Sequence, residues 1–221
     1  MKMIFRSTWV GNHICTEEAT LCQLDSYNKT RYSRRKKREG LLELASHEAH
    51  ENQEVYFATI LNDDDNPYCA MESNAGYFGL DFLGDNYENY LLYEYREDEH
   101  SGKLFLRVIT LFECYPGTTE KMIRIDFRYT HQGGYSSLLY QGEAYDGTYE
   151  EIRTEHPPIS VEKLERLWVD YPKFGEYDQL ICLDRIPLLA RERILEYTGK
   201  EFPTFREYLQ RDIEHYQPPK E

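Results

Sequence analysis

Two histidines three residues apart, in His47-Glu-Ala-His50, are the first residues whose types and spacing could do chemistry. On a helix they share one face, and Glu43 or Glu51 could complete a metal site. The spacing is HExH, however. A zinc-protease helix places its histidines four apart with the glutamate as base. A solvated polar helix face accounts for the same residues and is the preferred reading, so no metal is expected. Asp81 and Asp85, in Gly79-Leu-Asp-Phe-Leu-Gly-Asp85, offer a second chemistry: paired carboxylates for acid–base hydrolysis. A polar turn between glycines explains that string too, and sequence spacing does not supply the pKa difference such a pair needs. There is no GxSxG, P-loop or GxGxxG. The five cysteines (Cys15, Cys22, Cys69, Cys114, Cys182) are odd in number and contain no CxxC, which reads as idle thiols in a reducing compartment. No cofactor and no catalytic activity are expected.

Charge is more informative than any motif. The 221 residues carry 26 Lys+Arg against 40 Asp+Glu, a formal charge of −14. That balance counts against a general nucleic-acid binder, which needs a basic footprint. The excess is concentrated. Residues 54–100 hold 12 acids against the single base Arg96, a net −11, and also seven tyrosines. Concentrated negative charge steers a basic partner, and tyrosine is favoured at interfaces. Against this runs Arg31-Tyr-Ser-Arg-Arg-Lys-Lys-Arg38, six positive charges in eight residues, read as a solvated loop within 28–40.

The elements that must position these residues are read from periodicity. Alternation marks Lys121–His131 as a strand, with Ile123, Ile125, Phe127 and Tyr129 on one side and Arg124, Asp126 and Arg128 on a wet side. Leu104–Cys114, apolar on both sides, reads as a central strand. Tyr87–Glu97, Tyr135–Gln141, Glu54–Leu61, Gly76–Leu83 and Lys2–Val10 complete the set. Leu41–Glu51 reads as a short helix. Further helices are expected late, after a Ser160 cap, over Leu188–Thr198 and from Thr204 onward. The expected fold is α+β: one domain over 1–221, sheet-rich in 1–145 and helix-rich in 155–217. It is a curved antiparallel meander of about six to eight strands with C-terminal helices on one face or end.

No apolar run reaches the roughly 18 residues of a membrane helix, and Arg6 falls where an export signal would be apolar. A cytoplasmic location is therefore expected. The profile is similar to that of bacterial immunity proteins of polymorphic or contact-dependent toxin systems, which are small, acidic, single-domain and free of catalytic motifs. The likeness is one of profile, and it implies a stoichiometric inhibitor that occludes the active site of a basic, nuclease-like toxin. The expected partner-binding residues are Asp63, Asp64, Asp65, Asp81, Asp85, Glu88, Glu94, Glu97, Asp98 and Glu99, with Tyr87 and Tyr90 as aromatic anchors. Two alternatives stand beside it. One is a sheet or barrel with an apolar ligand pocket lined by Tyr87, Tyr93, Phe105, Ile109, Phe127 and Tyr129. The other is a hydrolase using Asp81 and Asp85.

Overall fold

The computed structural model describes residues 2–8, 13–36, 39–85, 87–114, 121–141 and 150–182. Among them ten strands form one antiparallel sheet: β1 (Lys2–Ile4), β2 (Tyr56–Leu61), β3 (Pro67–Asn74), β4 (Tyr77–Leu83), β5 (Asn89–Glu97), β6 (Lys103–Cys114), β7 (Lys121–Tyr129), β8 (Tyr135–Gln141), β9 (Glu150–His156) and β10 (Trp168–Asp170). The order β1 to β9 follows the chain, so the sheet is an open meander. β10 pairs with the start of β6, on residues that β7 leaves unpaired. The count exceeds the expected six to eight. β3 opens on Pro67 and lacks a β-branched run, and β9 is a charged edge strand, so neither carries the apolar alternation that reveals a strand.

The helix expected over Leu41–Glu51 is present with those bounds, and a helix that the sequence pattern does not mark, Glu17–Asn28, precedes it. α1 (Glu17–Asn28) and α2 (Leu41–Glu51) lie between β1 and β2, ahead of the sheet, and the late α3 (Val161–Glu165) has only one turn after its Ser160 cap. The helices expected at 188–198 and from 204 lie outside the described residues. α1 starts where the Thr16 hydroxyl accepts the Ala19 N–H, with Glu17 and Glu18 favourably placed at the positive end of the helix dipole. Gly40, at φ 67°, turns the chain from the basic run into α2. Within that run Tyr32–Arg34 forms a 3₁₀ turn, clamped by Asp25, which accepts bonds from Thr30, Tyr32 and Ser33.

Cross-strand register sorts the sheet into two faces. One face carries Tyr56, Met71, Phe78, Leu80, Phe82, Tyr93, Tyr95, Ile109, Leu111, Ile125, Phe127 and Leu139, all buried. The segment after β10 runs back across it. Tyr171 packs edge-on to Phe78, Phe174 stacks on Phe5, and the Tyr177 hydroxyl lies 3.0 Å from that of Tyr56. Tyr95 donates to the Leu180 carbonyl. The opposite face is charged, and it is the candidate site.

Candidate functional site: the charged face of the sheet

Glu72, Gly79 and Glu94 lie in direct register across β3, β4 and β5, on the side away from the aromatic core. Strand spacing puts the two glutamate backbones about 10 Å apart, with Asp81 about 7 Å along β4 from the glycine between them. Gly79 has no side chain because the Tyr77 ring lies over it: a Cβ there would meet the Tyr77 hydroxyl at 2.5 Å. This aromatic cover of a strand glycine sets the phenol among three carboxylates. Burial, followed by Glu94, Glu72 and Asp81, pushes the Tyr77 pKa up to about 12. Loss of water around the carboxyl likewise raises that of Glu72. Arg96 stacks on Tyr77, 4.4 Å from the ring centre.

Beside these acids, between β2–β4 and the segment from β1 into α1, opens a cleft of about 210 Å³. Ser7, Thr8, Gln23, Tyr27, Phe57, Glu72 and Asp81 line it. It is smaller than the roughly 300–1,000 Å³ of small-molecule sites and suits a single side chain.

Further along the same face, on β7, Asp126 is 0% exposed. Arg124 reaches it through Nε at 2.7 Å and Nη2 at 2.9 Å, Arg128 through Nη2 at 3.1 Å, and the Thr110 hydroxyl donates at 2.9 Å. Arg124 also stands over the rings of Phe112 and Tyr140. Burial opposes the charge of Arg124, but the Asp126 carboxylate outweighs it and raises the arginine pKa.

The expected partner-binding residues fall into three places. Asp63, Asp64 and Asp65 are exposed in the β2–β3 turn, with Asp65 held by Lys2 at 2.8 Å. Asp85 is exposed in the β4–β5 turn at the same end of the sheet, and Tyr87 there packs against His13. Glu97, Asp98 and Glu99 belong to the opposite end, roughly 25 Å away along β5. There the hydroxyl and backbone N–H of Ser101 hold Asp98 below its ordinary pKa. Only Asp81 and Glu94 point from the charged face. Tyr90, expected as an anchor, and Glu88, expected among the partner-binding acids, are interior at 0% and 4% exposure and present no surface to a partner. Tyr56, Tyr93 and Tyr95 are core residues as well. The tyrosine richness of this segment therefore serves mainly the apolar face.

The other readings meet different surroundings. Tyr93, Ile109, Phe127 and Tyr129 pack within the core. Phe105 faces Trp168 and His131 on the far side, and Tyr87 sits in a turn, so these six do not share one lining. Asp81 accepts from the Asn89 amide at 2.8 Å, whereas Asp85 stands in the turn. His50 is buried, its Nδ1 2.9 Å from the Tyr56 hydroxyl, and His47 lies edge-on to Phe174. Among the described residues no His, Cys, Asp and Glu group could hold a metal ion.

Glu72, Tyr77 and the Arg124–Asp126–Arg128 group were not among the expected site residues. The wet side of β7 was legible from alternation. The register that aligns Glu72 with Glu94 required β3, which the sequence pattern hides. No family model matches this chain, and neither the curated proteins nor the solved structures compared with it include a match.

Proposed function

We propose that the protein is a cytoplasmic, non-enzymatic interaction protein that binds a basic protein partner through the acidic half of the charged face. It would act as a stoichiometric inhibitor of the immunity type. The observation that carries this reading is the convergence of Glu72, Asp81 and Glu94 around Tyr77, beside a side-chain-sized cleft. A lysine or arginine of the partner entering that cleft meets Glu72 and Asp81 in partly desolvated surroundings, where an ion pair is stronger than at an open surface. Cations that would otherwise grip a substrate's phosphates are thereby occupied, and the sheet face covers the cleft they line. The exposed Asp63–Asp65 turn extends the negative field and speeds encounter.

The test uses the full chain as bait for the products of adjacent genes, followed by binding measurements on the purified pair. A one-to-one complex with a basic protein is expected. Its association rate should fall about tenfold or more between roughly 0.05 and 0.5 M NaCl. The double variant Glu72→Lys/Glu94→Lys should weaken it at least a hundredfold without unfolding the chain. An affinity unmoved by both salt and charge reversal would sink the reading.

A further inference from the structure

We infer that Arg124 and Arg128 form a recognition site for a single carboxylate, so that the charged face reads a partner of both signs: cations against β3–β5 and a carboxylate against β7. Each arginine is fixed by Asp126, which is wholly buried and lies between them in sequence. A guanidinium in solution loses much freedom when it binds an anion. Here that loss has been incurred in folding, which is the basis of preorganised recognition. Both arginine side chains remain about half exposed, at 45% and 50%. Asp126 takes Nε and Nη2 of Arg124 and Nη2 of Arg128. The Nη1 of Arg124, and the Nε and Nη1 of Arg128, are donors that Asp126 does not use. Each two-pronged edge of a guanidinium includes Nη2, and the second Nη2 hydrogen of Arg128, together with Nε or Nη1, remains for a carboxylate to meet two-to-two.

Local charge selects the ligand. Two arginines and one aspartate leave +1, which a carboxylate monoanion closes to neutrality. A phosphate dianion would leave net negative charge on a face that also carries Glu94, two strands away on β5. A nucleic-acid strand would bring many such charges to a chain of net −14. The matching ligand is therefore an aspartate or glutamate side chain on a protein surface. Its role beside the acidic half rests on the proposed partner, but the site itself can be tested without one.

The experiment uses the full chain labelled with ¹⁵N-arginine and follows the Nε–Hε resonances. The probe is acetyl-glutamate-amide, which carries one carboxylate, and inorganic phosphate forms the second arm. Saturable shifts at Arg124 and Arg128 are expected, with half-saturation on the order of 10 mM for so small a ligand. Arg153, whose guanidinium is engaged by Glu155, should shift little. Arg128→Gln should weaken the probe at least fivefold. Arg128→Lys, which keeps the charge and can still reach Asp126, should also weaken it because the fork is lost. Non-saturating shifts shared by all arginines, tighter binding of phosphate than of the carboxylate, or full affinity in Arg128→Lys would each overturn the site. Those results would leave the basic-partner reading standing, because that reading depends on Glu72 and Glu94 and on the salt series.

Discussion

At the scale of the residue, Asp126 shows how a charge can be buried without being neutralised. Four hydrogen bonds, three of them from arginines, replace its water. Asp126→Ala removes the acceptor and leaves two half-solvated arginines side by side. The expected cost is about 2–3 kcal/mol, below that of breaking a fully buried pair because the arginines can rehydrate. Urea unfolding of the variant reads it, and a loss under about 0.5 kcal/mol would show that the triad contributes little. His50 gives the molecule a pH response. Burial lowers its pKa below the ordinary 6.5, against the attraction of Glu51. The folded chain resists a proton that the unfolded chain accepts. The associated stability is whole above about pH 6.5 and is lost as pH falls through that value toward the lower folded-state pKa. His50→Gln should flatten this step in unfolding curves taken between about pH 7.5 and 5, and an unchanged slope would assign it to other groups. The sequence marked His50 as a potential metal ligand. Its engagement by Tyr56 and its rings of Tyr171 and Phe174 come from chain segments 6 to 124 residues away, which no local spacing can disclose.

At the scale of the element, strands with clean alternation or a long apolar run were legible, and strands with neither, such as β3 and β9, were not. β7 follows the pattern closely because it has an apolar and a charged side to distinguish, whereas β8 is buried on both sides from Tyr135 to Leu139 and does not alternate. β3 hides its pattern behind Pro67 and small residues, and α1 carries few apolar positions and is revealed mainly by its Thr16 cap. β4 depends on a pairing within the strand: Tyr77 occupies the space that a side chain at Gly79 would need. Gly79→Ala should displace the ring and cost about 1–2 kcal/mol, with adding Tyr77→Ala recovering part of the loss. Thermal unfolding of the two singles and the double closes that cycle. Strictly additive losses would mean that ring and glycine do not interact.

At the scale of the whole molecule, the charge of −14 has two opposite consequences. Within the chain it is self-repulsion, so about 0.3 M NaCl should raise the melting temperature by roughly 2 °C. Between molecules it is attraction for a basic partner, which the same salt should weaken. A melting temperature that fell with salt would mean that stabilising ion pairs such as Lys2–Asp65 outweigh the repulsion. The sequence by itself determined the antiparallel meander, the apolar and wet sides of its clearest strands, and the concentration of acid in residues 54–100. These follow from period-two patterning and composition, which are local properties. Tertiary structure alone decided which charges share a surface. Successive hairpins of a meander point to opposite ends, which separates Asp63–Asp65 from Glu97–Glu99, while register across three strands gathers Glu72, Asp81 and Glu94 around Tyr77. Among the described residues it also assigned most of the tyrosines to the core, because a sheet this wide needs large apolar rings to fill the space beneath the segment that crosses it.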